Sequence, residues 1–508
     1  MNANASPRML YATIAALTAI EFLQLSMTAF AAGPIMGELG MSPEDFSLVA
    51  AVYASVAILV ISMQRWLVER LGGRTVIRCA TAVSVLGSVL CATSSDFASF
   101  LLGRVVMAIG GGALFTSARM IIHHLLAGPR RFAGIRALGI SLALSIAAGP
   151  WIAAQAVAAD HWSTIYWIVA GMGALAFMLA GTTLSPIPLA PKGEHAPRIV
   201  HQGLLVGGSF ALLYALQRSN YDFFSDAGST LLLIALGSAA LLGYAWLQHR
   251  ARQPLLRVRQ MLHARYLAGM ALFTFGYLML GANNYVIPMM LQRTLGFGWH
   301  TVGVVEAVGL LVAVLTFLTV TSLLPRHPAP RKYLVTGFAA LALFGLALSR
   351  LNTGADLWRD VLPALAFYSV FLLTVLPVAA MQSFRQMDQD ESAFSNAQQM
   401  KNMLAQAGIA LGITLATLGQ QWRTAVHYAV LDNRIRPGDP AYEALFEQLR
   451  EGLAHAVGPA QAAPLAMARV AQMLAQQSAM LANIDHFILV AALGLLGVAV
   501  TLVQKVFR

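Results

Sequence analysis

Two carboxyl groups stand inside long apolar runs of this chain, Glu21 and Glu306. A carboxyl in a bilayer-length apolar segment is costly. It faces an interior cavity or a partner rather than lipid. Desolvation lets such a group take up and release a proton near neutrality, which is the chemistry of proton coupling. A structural hydrogen bond is the other use of Glu21, and a position near the rim is the other reading of Glu306. Two guanidinium groups are placed similarly: Arg104, about two turns inside an apolar run, and Arg119, near its end. Arg104 is the natural counter-charge for Glu21. By residue count it sits about 9 Å farther along the bilayer normal at 1.5 Å per residue, so a water chain or open cavity would have to link them. Gln24, Asn283, Asn284 and Tyr285, with Glu306, are candidates to line a substrate cavity, although the two asparagines suit interhelical hydrogen bonding equally well. Arg119 is expected to snorkel to the interface.

Enzyme chemistry is hard to assemble from this set. No paired catalytic acids, Ser–His arrangement or metal cluster falls at one depth. His123-His124 lacks the Glu and spacing of a zinc motif and reads as loop. No Gly-x-x-x-x-Gly-Lys-Ser/Thr occurs, which argues against an ATP-driven pump. Cys79 and Cys91, about 18 Å apart on one helix, read as packing residues rather than a disulfide. The expectation is a non-enzymatic protein without cofactor or metal.

The elements that position these groups follow from composition. Of 508 residues, 58% are apolar and 11% charged. A soluble domain carries about 25% charged residues, so these are too few to cover soluble surfaces. The chain reads as an all-α integral membrane protein. A ruler of about 20 apolar residues gives fourteen segments. They run approximately 9–33, 46–64, 75–94, 98–124, 132–158, 162–184, 201–217, 227–248, 266–291, 300–323, 333–349, 360–384, 400–422 and 485–504. The first is too long and too polar, at Glu21 and Gln24, for a cleaved signal peptide despite Ala29-Phe30-Ala31. The one long hydrophilic stretch, 424–484, shows helical periodicity over 441–457 and 464–481, broken near Gly458-Pro459, and reads as an external loop with two short surface helices.

Loop charge tests this count. With the N-terminus inside, inner loops hold 22 basic and 5 acidic residues, outer loops 9 and 15. That asymmetry is the positive-inside pattern, and a missed span would scramble it. The net charge of +11 is therefore a topology signal, not a nucleic-acid footprint. A weak repeat between the basic loops Gln64–Arg74 and Ser322–Lys332 suggests two six-helix bundles. These are residues 1–184, holding spans 1–6, and 266–508, holding spans 9–14. The segment 185–265 is a linker plus inserted spans 7–8.

Several motifs give a family resemblance. Leu67, Glu69, Arg70, Gly72 and Arg74 fall in register with the Gly-x-Leu-Ala-Asp-Arg-x-Gly-Arg-Arg loop of the major facilitator superfamily, with Arg65 for Gly and Glu69 for Asp. Arg104 to Gly112 resembles Arg-x-x-Gln-Gly-x-Gly. Gly149-Pro150-Trp-Ile-Ala-Ala resembles the antiporter motif Gly-Pro-x-x-Gly-Gly, with both last glycines changed. Ser395 to Gly408 resembles the start of span 13 in the fourteen-span EmrB/QacA-like drug:proton antiporters, with Lys401 for Arg. Trp422-Arg423 with His427, and Gln477 to Phe487, resemble that family's last two spans.

The resemblance implies a secondary active transporter that exports apolar or amphipathic compounds, cations among them, against protons by alternating access. Glu69, Arg70, Gly72 and Arg74 would form a gating loop, Gly149 and Pro150 an antiport kink, and Glu21 with Arg104 the proton-coupling pair. The family's helix-1 acid stands about one turn later, where this chain has Leu25. The implied partners are a small-molecule substrate, protons, the lipid bilayer and a membrane-fusion protein at the external loop, with no nucleic acid. The implied location is a bacterial inner membrane, multi-pass, with cytoplasmic termini. The alternative is a proton-coupled transporter of one metabolite, sugar or siderophore.

Overall fold

The computed structural model describes residues 6–185, 198–222, 227–251, 254, 263–324, 326–384, 391–433 and 439–507. Lys192 in the linker, and Arg252, Arg257 and Arg259 of the basic segment before span 9, lie outside the described residues.

Fourteen helices are long and apolar enough to cross a membrane. They are span 1 (Pro7–Phe30), 2 (Pro43–Leu71), 3 (Gly73–Ala92), 4 (Phe97–Leu125), 5 (Gly128–Ala158), 6 (Thr164–Thr183), 7 (Ile199–Leu216), 8 (Ala227–Arg250), 9 (Ala264–Thr294), 10 (Trp299–Leu323), 11 (Pro330–Leu348), 12 (Leu357–Phe384), 13 (Asn396–Asp432) and 14 (Pro459–Val503). The protein is a multi-pass integral membrane protein with an all-α fold.

Even-numbered spans start at the acidic end of the molecule, and acidic residues begin several of them. Ser42 and Asp45 form a reciprocal capping box for span 2, Asp96 and Ser99 one for span 4, and Asp356 accepts from Trp358 and Arg359 N–H at span 12. Each side chain satisfies amide donors that a helix start leaves open, and each negative charge suits the helix dipole. Hydrogen bonds to Ser99 hold the Asp96 carboxyl below the usual aspartate range. At the basic end, Gly72 joins spans 2 and 3 at φ +81°, a left-handed turn that a side chain resists.

Spans 1–6 pack chiefly with one another, and so do spans 9–14. The two groups meet where span 5 lies along span 10 and span 2 along span 13, with lesser contact of span 1 on span 9 and span 4 on span 13. Spans 7 and 8 pair together, and span 7 rests on spans 2 and 13. Small residues permit these approaches: a methyl group at Gly110 would overlap Ser84 of span 3, at Gly281 the Ile409 carbonyl, and at Gly303 the Pro150 carbonyl.

The stretch expected as an external loop is more helical than its composition suggested. Span 13 continues to Asp432, a separate helix runs Pro440–Val457, and the second surface segment is not separate at all. It joins the last span in one helix, Pro459–Val503. No Gly or Pro stands between Leu465 and Leu493, so nothing interrupts the backbone bonding where the hydropathy changes.

Candidate functional site

The site is a cavity at the meeting of the two groups, walled by spans 1, 2, 4, 9 and 13. Most of the wall is apolar or aromatic, with Phe22, Phe46, Tyr53, Phe115, Tyr277 and Tyr285. Glu21 and Arg104 are the charged groups that line it. The wet, functional polarity is thus concentrated in a few side chains, as in most small-molecule sites.

Glu21 is buried, 8% exposed, in mid-span 1. Its Oε1 accepts from Gln406 Nε2 of span 13. Its Oε2 has no partner among the described residues. Span 4 breaks along the same wall, ending one helix at Gly111 and restarting at Leu114, with Gly112 and Phe115 lining the cavity with Glu21. Arg104 makes no direct ion pair with Glu21; the two are separated as their depths along the spans imply, and both line the cavity. Arg104 Nη1 donates to Gln24 Oε1 at 2.6 Å, and the guanidinium lies 4.4 Å over the Tyr53 ring. Gln24 Nε2 in turn donates to the Tyr53 hydroxyl at 3.2 Å. The depth offset anticipated from residue count is filled by Gln24, one turn along span 1 toward Arg104, rather than by an ion pair.

The other cavity candidates divide. Tyr285 lines the cavity and stacks on Phe46 of span 2 with centroids 6.3 Å apart. Asn283 and Asn284 do not line it. Residues two apart on a helix lie about 200° around it, so Asn283 faces away from Tyr285. It bonds the Met279 carbonyl and meets His486 Nε2 of span 14 at 3.3 Å. Glu306 is buried, 5% exposed, but outside the cavity wall; it lies one turn from Gly303, which abuts span 5.

The remaining motif residues fall at bundle contacts. Gly149 sits against Ser26 of span 1, and the carbonyl of Pro150 against Gly303 of span 10. In the basic turn, Glu69 pairs with Arg65 Nε at 2.7 Å, Arg70 lies 5.5 Å over Trp66, and Arg74 stands beside Ser117 and Ile121 of span 4 in the wall of a second, smaller pocket. Arg119 points inward instead of snorkelling, donating to Gln398 of span 13 at 3.0 Å. His123 and His124 close the helix of span 4, with His123 stacked on Phe394 at 4.2 Å. At the acidic end, Asp485 accepts from Arg423 Nε and from His427 Nε2, both at 2.6 Å, joining the two motifs that mark spans 13 and 14.

Sequence reading missed the polar face of span 13. Gln398, Asn402 and Gln406 recur every four residues and so share one helix face. They bond, in order, Arg119, Thr116 and Glu21, all of the first bundle. Lys401, counted as a basic-loop charge, is fully buried in the same helix.

Fourteen spans, twelve of them in two packed groups, with a largely apolar cavity holding a few polar groups on the seam between them, define a membrane transport protein. Residues 14–413 match the model of the Major Facilitator Superfamily. The chain belongs to that superfamily. It is similar to an uncharacterized MFS-type transporter YhcA of Bacillus subtilis (22% identity, 81% of this chain and 76% of that protein). It is also similar to a putative multidrug resistance protein MdtD of Serratia proteamaculans (23%, 74% and 78%). The fold is shared with the crystal structure of the human organic anion transporter MFSD10 (TM-score 0.55, 14% identity, 98% of this chain and 100% of that one).

Proposed function

We propose that this protein is a proton-driven exporter of apolar and amphipathic small molecules, of the EmrB/QacA-like fourteen-span type. It works by alternating access, in a bacterial inner membrane, with its basic end and both termini in the cytoplasm. The observation that carries the reading is Glu21: one carboxyl in the wall of an aromatic cavity, bonded by an amide of the opposite bundle. Protonation there changes both the charge of the cavity and a contact between bundles, which is what coupling requires. Several relatives are named as putative multidrug resistance proteins, which supports the substrate class. Gly149 and Pro150 bring spans 1, 5 and 10 together at the seam that must rock. Each proton moved through 100 mV provides about 2.3 kcal/mol, enough for roughly tenfold to hundredfold accumulation.

The helix of Pro459–Val503 is far longer than a bilayer requires, and Pro440–Val457 packs on it. This projection at the acidic end is the surface we assign to a membrane-fusion partner.

The test begins with a growth screen of toxic compounds in an efflux-deficient host, followed by export of the best hit from liposomes under a pH gradient. Glu21→Gln is expected to abolish gradient-driven export while equilibrium exchange continues. Gradient-driven export at the wild-type rate would reject the proposal. A screen in which only one metabolite responds would favour the single-substrate reading.

A further inference from the structure

Lys401 is a buried charge left without a role by that reading. Its side chain is fully buried, and its Nζ has no hydrogen-bond partner among the described residues. It lies 4.9 Å from the ring centroid of Phe273 on span 9 and 5.3 Å from that of Phe115 on span 4. Two aromatic faces offset the burial of an ammonium only in part; a carboxylate would do so far better. Phe115 lines the same cavity as Glu21, a buried carboxylate whose Oε2 is also without a partner among the described residues. Lys401 and Glu21 belong to different bundles, and Gln406, five residues along span 13, already bonds Glu21.

We propose that Lys401 is the counter-charge of Glu21 and positions it through the transport cycle. When Glu21 releases its proton, carboxylate and ammonium attract across the seam and draw span 13 toward span 1. When Glu21 takes up a proton the attraction ends, and Lys401 is held by the rings of Phe115 and Phe273. The other ionisable groups around this pair fit that division. Arg119 on span 4 is occupied by Gln398. Tyr277 on span 9 and Tyr53 on span 2 line the same cavity as Glu21, and Arg104 is taken up by Gln24 and the Tyr53 ring. Lys401 is thus the cation without a competing partner. This inference rests on the reading of Glu21 as the proton carrier.

The test needs no substrate. Dicyclohexylcarbodiimide reacts with protonated buried carboxyls, so labelling of the full-length protein in nanodiscs across a pH series, read by peptide mass spectrometry, reports the state of Glu21. Lys401→Gln is expected to move the midpoint for Glu21 to higher pH by about one unit or more, the size of effect a close opposite charge has on a carboxyl. Lys401→Arg is expected to restore it. Glu306, labelled in the same samples, serves as the internal reference and is expected not to move, which also shows that the variant is folded. An unchanged Glu21 midpoint, an equal shift at Glu306, or no rescue by Arg would overturn the proposal. Loss of proton-driven export in Glu21→Gln together with an unmoved midpoint in Lys401→Gln would reject the counter-charge alone. A moved midpoint with normal export by Glu21→Gln would reject the carrier reading instead. Glu21 unlabelled at every pH would overturn both.

Discussion

Gln24 holds Arg104 at the residue scale without an ion pair. It gives Arg104 an acceptor and Tyr53 a donor within one buried unit. A hydrogen bond to a charged group contributes about 1.5–3 kcal/mol, and stranding the charge costs the desolvation as well. Gln24→Leu is therefore expected to lower the thermal midpoint in detergent, by an amount equivalent to about 2 kcal/mol. Gln24→Glu keeps an acceptor and is expected to lower it much less; equal losses would show that packing, not the bond, matters at this position. Glu21, Gln24, Arg104 and Tyr285 were legible because a polar or aromatic group in an apolar run has to be explained by an interior. Gln398 was not, because the segment before residue 400 read as a loop, and without it Asn402 and Gln406 did not stand out as one face. Their spacing of four was the signal, and it becomes visible once the helix is started at Asn396 instead. Lys401 was hidden by the same boundary: a lysine near a span end normally reaches the interface.

Span 9 lies on span 13 through glycine at the element scale. A methyl group at Gly281 would overlap the Ile409 carbonyl, and one at Gly412 the Leu278 carbonyl. Backbone cannot yield as a side chain can, so Gly412→Val forces the helices apart and exposes the polar face of span 13. The expected result is loss of most folded protein after extraction, or a thermal midpoint lower by an amount equivalent to about 2–3 kcal/mol. Gly419, two turns farther along the same helix, has open space around its Cα. Gly419→Ala is expected to be neutral or to stabilise by up to about 1 kcal/mol. If the two variants behave alike in size-exclusion and thermal assays, close packing is not what Gly412 provides. Fourteen spans were readable because length, hydropathy and loop charge agree. The helical join through Asp485 was not, since hydropathy falls there while backbone bonding continues. Nor were the contacts of spans 5 with 10 and 2 with 13, which depend on partners far apart in sequence.

The whole molecule is organised so that one helix carries most of the polar contact between halves. Span 13 belongs with spans 9–14 by packing, yet Gln398, Gln399, Asn402 and Gln406 all bond residues of spans 1, 2 and 4. Polar contacts of this kind are individually modest in a membrane, since freed groups find other partners. Where span 13 meets spans 1, 2 and 4, a seam built from several of them can open more readily than the close glycine contact of span 10 on span 5. Contacts inside a bundle join helices that move together: Thr13 of span 1 and Thr183 of span 6 sit 3.1 Å apart, fully buried, within the first group. If alternating access rocks the halves as units, links inside and across must differ in consequence. In a background with Cys79 and Cys91 replaced, a disulfide between Thr116→Cys and Asn402→Cys is expected to stop export and to release it on reduction. A disulfide between Thr13→Cys and Thr183→Cys is expected to leave the rate within about twofold, as bundles moving as rigid bodies require. Export that continues at the original rate through the first link, with its formation verified on a non-reducing gel, would mean that spans 4 and 13 do not separate during transport, and that the halves of this molecule move along another seam.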